Sequence, residues 1–545
     1  MDKIAEKIKN ELKLEVSSAD ETLEKYSQDA SLFKIRPQAV VFPKDTEELK
    51  NLVRWTVEEN KKGNKISLTV RSGGTDMSGG ALSESVVVDM AKYFNHFKGV
   101  EKNTAVTEPG VFYRDFEKET LKQNLLLPTY PSSREICTMG GMLANNSAGE
   151  KTLTYGKTED YVEEMKMVTA DGEEHVFKSL TPQELAVKEK IFGPEGEIYS
   201  GLRRLIQENR SILREAKPKV SKNSAGYFLW NVEQGNNFDL TRLITGSQGT
   251  FGIITEIKFR LIIPKKHSRL LVIFLKDTSR LAEIIKEVLN HRPESFESYD
   301  DHTFKIALRF FPDIAHHLKG NVLKLAFKFL PEFFMMLRGG IPKMVMLAEF
   351  TGDSEEEALG KAREADESLK KFSLDTKVTP DKKAAEKYWA VRRESFNLLR
   401  HRIKGRRTAP FIDDIIVLPE KLPEFLPRLY KTLNEYPSLI YTVAGHIGNG
   451  NFHIIPLMDM TKPESKKIIK ELGGRVYELV LEFKGSFTAE HNDGLIRGPY
   501  LEKMYGSKVV SLFEETKKIF DPLGIFNPGK KTKADFNYTL SKIGE

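Results

Sequence analysis

Residues 71–80 read RSGGTDMSGG and follow directly on KISLTV (65–70), a run with the β-branched content of a strand. Gly73, Gly74, Gly79 and Gly80 let a backbone come close to a ligand and turn successive N–H groups toward an anion. Arg71 opens the loop, Ser72, Thr75 and Ser78 add hydroxyl donors, and Asp76 sits at its centre. The pattern is neither G-x-G-x-x-G nor a Walker loop, because no Lys-Ser/Thr follows the last glycine. Taken singly, such a loop is equally well a structural turn. Two more of its kind follow, however. Pro109-Gly110 ends the short strand AVTEPG, and CTMGGMLANNSAGEKTLTYGKTEDYV (137–162) is a second polar, glycine-rich loop. Gly246, Gly249 and Gly252 make a third cluster, leading into Ile253 and Ile254. So many free backbone groups call for a ligand to satisfy them. Three such loops in one half of the chain suit a large, extended, phosphate-bearing cofactor.

At 545 residues the chain is too long for one ordinary core, and two or three domains are expected. The 84 Lys+Arg nearly balance the 78 Asp+Glu, so nothing argues for nucleic acid, and no basic motif with interleaved aromatics is seen. The single cysteine, Cys137, excludes an internal disulfide, a thiolate zinc site and an iron–sulfur cluster within this chain. The N-terminal MDKIAEKIKNELKLEV lacks the apolar core of a signal peptide. No run of about 20 apolar residues offers a membrane span. A cytoplasmic protein is expected. Asp45 with Glu48 reads as a capping box ahead of Leu49, Leu52, Val53 and Val57 at helical spacing. Asp171-Gly172 reads as a hairpin turn. After Pro264 the texture changes: LLVIFL (270–275) and MVMLAEF (344–350) suggest a second sheet covered by helices. Between them, residues 304–340 are apolar and basic. They read either as short core-facing helices or as a surface for a membrane or a partner, which would place the protein peripherally at the inner face of a membrane.

A second constellation lies in AGHIGNGNFHIIP (444–456). Asn449-Gly450 is a type I′ turn signal, and folding the chain about that pair sets His446 directly opposite His453. Cross-strand Cβ atoms about 5 Å apart would suit two imidazoles sharing one metal ion. SFTAEHNDGLIRGPYL (486–501) adds Glu490 beside His491. Two histidines and one carboxylate leave an open coordination position, the arrangement of a catalytic metal. The alternative is a surface Glu-His pair of no consequence.

The order of R-S-G-G-T-D-M-S-G-G, P-G, T-M-G-G-M-L-A-N-N-S-A-G, Y-G-K-T-E-D-Y-V and G-S-Q-G-T-F-G-I-I-T resembles the FAD-binding domain of the vanillyl-alcohol oxidase / para-cresol methylhydroxylase family. GHIGNGNFH and AEHNDGLIR resemble the paired metal-binding motifs of FAD-linked 2-hydroxy acid dehydrogenases, the D-lactate, glycolate and D-2-hydroxyglutarate enzymes. The resemblance implies an α+β chain. In it an N-terminal helical segment (1–34) precedes a two-subdomain FAD-binding domain (35–265). A cap domain (266–545) follows, with an antiparallel sheet under helices and a C-terminal segment returning to the flavin. It implies FAD held by Arg71–Asp76, Ser78, Pro109, Gly110, Thr138, Gly140, Gly141, Asn145, Asn146, Ser147, Gly149, Gly246, Gly249, Gly252, Ile253, Ile254 and Asn527 of FDPLGIFNPGKK (520–531). Covalent members carry histidine where this chain has Thr75, so FAD is expected to be non-covalent.

Carried over residue by residue, His446, His453 and Glu490 hold a divalent metal (zinc, iron or manganese), and His491 is the general base. Arg392 of YWAVRRES (388–395) grips the substrate carboxylate, Arg407 being a weaker candidate. The family usually has aspartate where this chain has Asn449, which bears on metal affinity. The implied reaction oxidises a small D-2-hydroxy acid to the 2-oxo acid, the proton going to His491 and a hydride to flavin N5. A separate iron–sulfur or quinone-linked acceptor takes the electrons. A metal-free oxidase of another alcohol would leave His446, His453 and Glu490 without a shared role. His491 and Arg392 argue against a flavin electron-transfer subunit, whereas Asn449 keeps that alternative open. Non-redox alkyl transfer needs a histidine cluster of a kind this chain lacks.

Overall fold

The computed structural model describes residues 3–303, 305, 340–402 and 405–544. Three sheets organise them. The first consists of β1 (Val16–Ser17), β2 (Ala39–Val41), β3 (Leu68–Arg71) and β4 (Val86–Asp89), in the order β1-β2-β4-β3. β2, β4 and β3 run parallel, and the valine runs of β2 and β4 are buried throughout, as in a sheet covered on both faces. Helix α1 (Thr46–Lys61) buries Leu49, Leu52 and Val53 there. The expected capping box is half made. Asp45 accepts from the Glu48 N–H at 2.9 Å, but the Glu48 carboxylate takes the Lys44 N–H instead of that of Asp45.

The second sheet is antiparallel: β5 (Phe97–Glu101), β6 (Thr104–Thr107), β7 (Val162–Val168), β8 (Glu174–Leu180), β9 (Glu233–Gln234), β10 (Asn237–Asp239) and β11 (Ile253–Arg260), in the order β5-β6-β11-β7-β8-β10-β9. The Asp171-Gly172 turn joins β7 to β8, with Gly172 at φ +74°. Helices α2 (Met139–Asn145) and α3 (Pro194–Glu208) belong to this unit.

The third sheet carries the cap: β12 (His267–Leu275), β13 (Ser295–Asp300), β14 (Met344–Gly352), β15 (Asp375–Val378), β16 (Arg407–Thr408), β17 (Ile415–Ile416), β18 (Ile440–His446) and β19 (Asn451–Met458). Its order is β15-β12-β14-β13-β18-β19-β16, all antiparallel, with β17 also on β19. The period of two sorts its side chains. Leu271, Ile273, Met346 and Val443 enter a core shared with helices α4 (Leu281–Asn290), α5 (Glu355–Leu369), α7 (Leu422–Asn434) and α8 (Pro463–Glu482). Leu270, Val272, Tyr299, Val345 and Ala444 face the other way, onto Tyr388 and Trp389 of α6 (Lys382–Arg402). The expected sheet under helices is therefore present. Its α6 side is the one that meets the glycine-rich loops.

The chain ends by returning to the first sheet after α9 (Leu501–Phe520). The Asn527 N–H donates to Leu68 O at 2.9 Å, and its amide donates to Gly80 O and Gln248 O at 2.8 and 2.7 Å. One side chain thus ties the end of the chain to two glycine-rich loops. The 304–340 segment, apart from Lys305 and Gly340, lies outside the described residues. No helix among the described residues is long and apolar enough to cross a membrane.

Where the cofactor unit meets the cap sheet, Lys151 Nζ and Tyr155 OH reach Glu294 at 3.0 and 2.9 Å. Glu349 shares this seam. Burial first, then the charges of Glu294 and Glu150, push its carboxyl up to about 7. A carboxyl raised in the folded state contributes stability at low pH and loses it as pH climbs through 7. Glu349→Gln is therefore expected to raise the melting temperature above pH 7, by on the order of 3 kcal/mol in stability, with no difference from the parent below about pH 4.5. Thermal melts across pH 4–9 check this.

Candidate functional site

A cavity of about 690 Å³ runs from the loops after β3 and β6 to the α6-facing side of β18 and β19. Its first half is glycine-walled. The Ser72 and Thr138 hydroxyls meet at 2.5 Å, joining the first loop to α2. The Asp76 carboxylate accepts from Ser78 N at 3.1 Å and Gly80 N at 2.6 Å, so it holds its own loop in shape. Gly74 and Gly79 take φ +64° and +78°, which only glycine adopts freely. A Cβ on Gly140 would stand 2.5 Å from Pro109 Cβ, so that glycine permits two loops to touch.

Of the residues expected to hold FAD, Arg71–Asp76, Pro109, Thr138, Gly140, Gly141, Asn145, Ser147, Gly149, Gly249, Gly252 and Ile254 line this cavity. Ser78, Gly110, Asn146, Gly246, Ile253 and Asn527 stand behind the wall. Ser78 is bonded to Asp76, Gly110 packs beneath Met90 O, and Asn146 accepts from Glu159 N at 3.0 Å. Gly246 abuts Asn146, and Ile253 points away from Ile254 by strand alternation. Cys137 also lines the wall, and burial pushes its thiol up to about 12, leaving it neutral. A long, small-residue wall with polar hydroxyls and open glycines fits a flavin dinucleotide.

The second half is charged. His446, His453, Glu490, His491 and Arg392 all line it. The hairpin register differs from the expected one. β18 and β19 pair His446 with Asn451 and Ala444 with His453, so the loop holds four residues, not two. The reason is local. A type I′ turn needs positive φ at both central positions, yet only Gly450 has it (φ +75°), while Ile447–Asn449 form a 3₁₀ turn and the Asn449 amide donates to Ser221 Oγ at 2.9 Å. The shift is by an even number of residues, which preserves the face. The imidazoles of His446 and His453 remain neighbours, with ring centroids 5.2 Å apart, and His491 stacks on His453 at 5.0 Å.

Four further charged side chains build the site. Glu297 on β13 accepts from His446 Nδ1 at 2.6 Å and from Arg392 Nε at 3.2 Å. Asp413 joins two histidines, His453 Nδ1 at 3.1 Å and His491 Nδ1 at 2.6 Å. Asp414 accepts from the backbone N–H of Glu490 and of His491, both at 2.7 Å, and from Thr488 Oγ1 at 2.8 Å. Lys222 Nζ lies 2.5 Å from Glu490 Oε1, and His446 Nε2 lies 3.2 Å from the same oxygen. Nothing in the local pattern around Glu297 or Lys222 marks them. Asp413-Asp414 did carry a signal, two acids inside the apolar run FIDDIIVLP.

Burial works against charge on His446 and His491, but Glu297 outweighs it at the first and Asp413 with Asp414 at the second, holding His491 up at about 9. Burial also opposes ionisation of Glu490, and Lys222 with His446 overcomes it, keeping the carboxyl well below its usual range. Each of the three imidazoles is gripped at Nδ1 by a buried carboxylate, which leaves three Nε2 atoms for the cavity. That donor chemistry fits a divalent cation. Ligand atoms of Asp414, His453, Glu490 and His491 lie within 4.8 Å of one another. Asp414 is already engaged by two N–H groups and a hydroxyl; His446, expected as a ligand, is not in this group, although its Nε2 lies 3.2 Å from Glu490 Oε1. Arg392 and Arg393 both line the cavity; Arg392 is paired to Glu297, and Arg393 is held by both oxygens of Glu150. Arg407, at the sheet edge opposite Met458, does not line the cavity.

Residues 37–178 match the model of a FAD binding domain, and residues 264–531 that of the C-terminal domain of FAD linked oxidases. The chain is 26% identical over 515 residues to a D-2-hydroxyglutarate dehydrogenase of Pseudomonas putida, covering 92% of this chain and 49% of that protein. It thus spans about half the length of that relative. A D-lactate dehydrogenase of Anaerostipes hadrus is 28% identical and is covered at 96% of both chains. The structure of p-cresol methylhydroxylase with substrate bound superposes with a TM-score of 0.66 at 15% identity, over 96% of this chain and 95% of that one, a likeness of fold.

Gly141 offers a test of the cofactor wall. A Cβ there meets only Thr138 Oγ1 at 3.2 Å and Ser72 Oγ at 3.7 Å, so a larger side chain grows into the cavity. Gly141→Val is expected to leave the far-ultraviolet spectrum intact and to weaken FAD retention about tenfold or more. Flavin absorbance after gel filtration reads it.

Proposed function

Since the chain belongs to the FAD-linked oxidoreductases, carrying their FAD-binding and C-terminal domains in order, we propose that it oxidises a small D-2-hydroxy acid to the 2-oxo acid. The observation that carries this reading is the convergence of three carboxylate-oriented histidines, Glu490 and Arg392 at one end of the glycine-walled cavity. The relatives named above act on acids of this class, which supports it.

FAD, held non-covalently, supplies a two-electron acceptor at the glycine-walled end. A divalent cation (zinc, iron or manganese) at His446, His453 and Glu490 supplies Lewis-acid polarisation of the substrate hydroxyl. The protein's own groups do the rest. Arg392, steadied by Glu297, binds the substrate carboxylate and fixes which hydrogen of the α-carbon faces the cofactor. In its neutral form, which the carboxylates of Asp413 and Asp414 confine to alkaline pH, His491 accepts the hydroxyl proton at Nε2. Asp413 bonds its Nδ1, which fixes ring orientation and stabilises the imidazolium that forms. Asp413 also holds His453, so the base and one cation ligand move as a unit. The 149–155 loop, which gives Gly149 and Glu150 to the cavity wall, is clamped to Glu294. A separate iron–sulfur or quinone-linked acceptor would take up the electrons, since the one cysteine, Cys137, cannot ligate a cluster by itself.

Anaerobic bleaching of the purified flavoprotein by D- and L-2-hydroxy acids, with and without chelator, tests the reading. One D-acid should bleach the flavin, and chelation should stop it. A flavin that no hydroxy acid reduces sinks the proposal. His491→Gln and Asp413→Asn should each slow bleaching by roughly 10²–10⁴ with FAD content unchanged. Arg392→Met should raise the half-saturating acid concentration by about tenfold or more, the loss expected for one charge-assisted contact.

A further inference from the structure

Glu490 has a resident cation already. We propose that Lys222 is the internal counter-ion of the cation site: its ammonium holds the Glu490 carboxylate while no divalent ion is bound, and a divalent ion must displace it. The inference rests on the cation reading given above and adds what this chain does to that ion.

Lys222 and His446 address the same oxygen. Lys222 Nζ is 2.5 Å and His446 Nε2 3.2 Å from Glu490 Oε1, the oxygen that a cation ligated by His446 would need. The Lys222 side chain is fully buried, and among the described residues Glu490 is its recorded hydrogen-bond acceptor. Its position is built in. Lys157 Nζ donates to Asn223 O at 2.6 Å, Ser224 Oγ at 2.8 Å and Ala489 O at 3.1 Å, so one buried lysine fastens the backbone next to Lys222 and the backbone next to Glu490. Asn449, at the tip of the histidine hairpin, fastens Ser221 on the other side.

Charge balance points the same way. The buried carboxylates around the three histidines are Glu297, Asp413, Asp414 and Glu490. The described cations among them are Lys222, Arg392 and Arg497, while Lys157 faces the buried Glu159 and leaves the balance unchanged. With neutral imidazoles this set carries one excess negative charge, so a divalent ion that enters while Lys222 stays leaves an excess positive charge in a poorly screened interior. Asn449 adds to this, since its amide carries no charge to offset that excess. Lys222 therefore keeps the cage assembled without metal and sets how tightly metal is held.

The test is equilibrium dialysis of Mn²⁺ against the FAD-loaded protein, with thermal melts in EDTA and in excess Mn²⁺. The parent should bind Mn²⁺ weakly and melt at nearly the same temperature in both. Lys222→Met should bind Mn²⁺ about tenfold or more tightly, and its melting temperature should drop in EDTA and recover with Mn²⁺, because an unpaired buried carboxylate needs a partner. Asn449→Asp should also tighten Mn²⁺ binding, and Lys222→Arg should behave as the parent. Lys222→Met/Glu490→Gln, which removes both charges, should fold in EDTA and bind no Mn²⁺. Loss of Mn²⁺ binding in Lys222→Met, or melting no more cation-dependent than the parent's, overturns the proposal and makes Lys222 a mere prop for Glu490. Failure of every protein to take up Mn²⁺ while retaining FAD instead removes the cation reading and this inference with it.

Discussion

The charged end of the cavity depends on the Asp413-Asp414 dipeptide. Asp414 is fully buried and takes φ +69°, a left-handed conformation that costs a non-glycine residue about 1–3 kcal/mol. What offsets that strain is bonding: two N–H groups and a hydroxyl from 488–491 converge on one carboxylate, and the Asn451 amide reaches its other oxygen at 3.2 Å. The loop bearing Glu490 and His491 has no ladder of its own at these residues, so its shape is copied from Asp414. The same turn of chain throws Asp413 to the opposite side, where it grips His453 and His491. Two adjacent acids therefore position a loop, two rings and, through the loop, a carboxylate.

The cofactor end is built on the opposite principle. There the wall is made by absence of side chains, and its stiffness comes from behind. Asp76 closes its own loop, Ser72 meets Thr138, and Asn527 reaches from the chain end to the backbone of Leu68, Gly80 and Gln248. Residues expected to touch the cofactor but found behind the wall, such as Ser78, Asn146 and Asn527, are those that replace missing packing with hydrogen bonds. A cavity lined by glycine needs such a second layer, since glycine itself restrains nothing.

Between the two ends the cap sheet acts as a ruler. Strand alternation sends Val443 to the helices and Thr442, Ala444 and His446 to the cavity. For that reason a register two residues away from the expected one keeps His446 and His453 on one face as neighbours, where a shift of one would separate them. Asn449 caused the difference. It is a turn former by sequence, but its amide is spent on Ser221, and the loop closes around Gly450 alone.

Sequence alone determined the loops, the strand that feeds each, the face shared by the histidines, and the Glu490-His491 pair, because all of these are written within a few residues by glycine, by turn chemistry or by a period of two. Only the tertiary structure decided what those groups lean on. Glu297 meets His446 across 149 residues, Asp413 meets His491 across 78, and Lys222 meets Glu490 across 268. A buried charge leaves no periodic trace of its partner. The partner is selected by the cost of leaving that charge unpaired in the interior, a cost that exists only once the chain has folded.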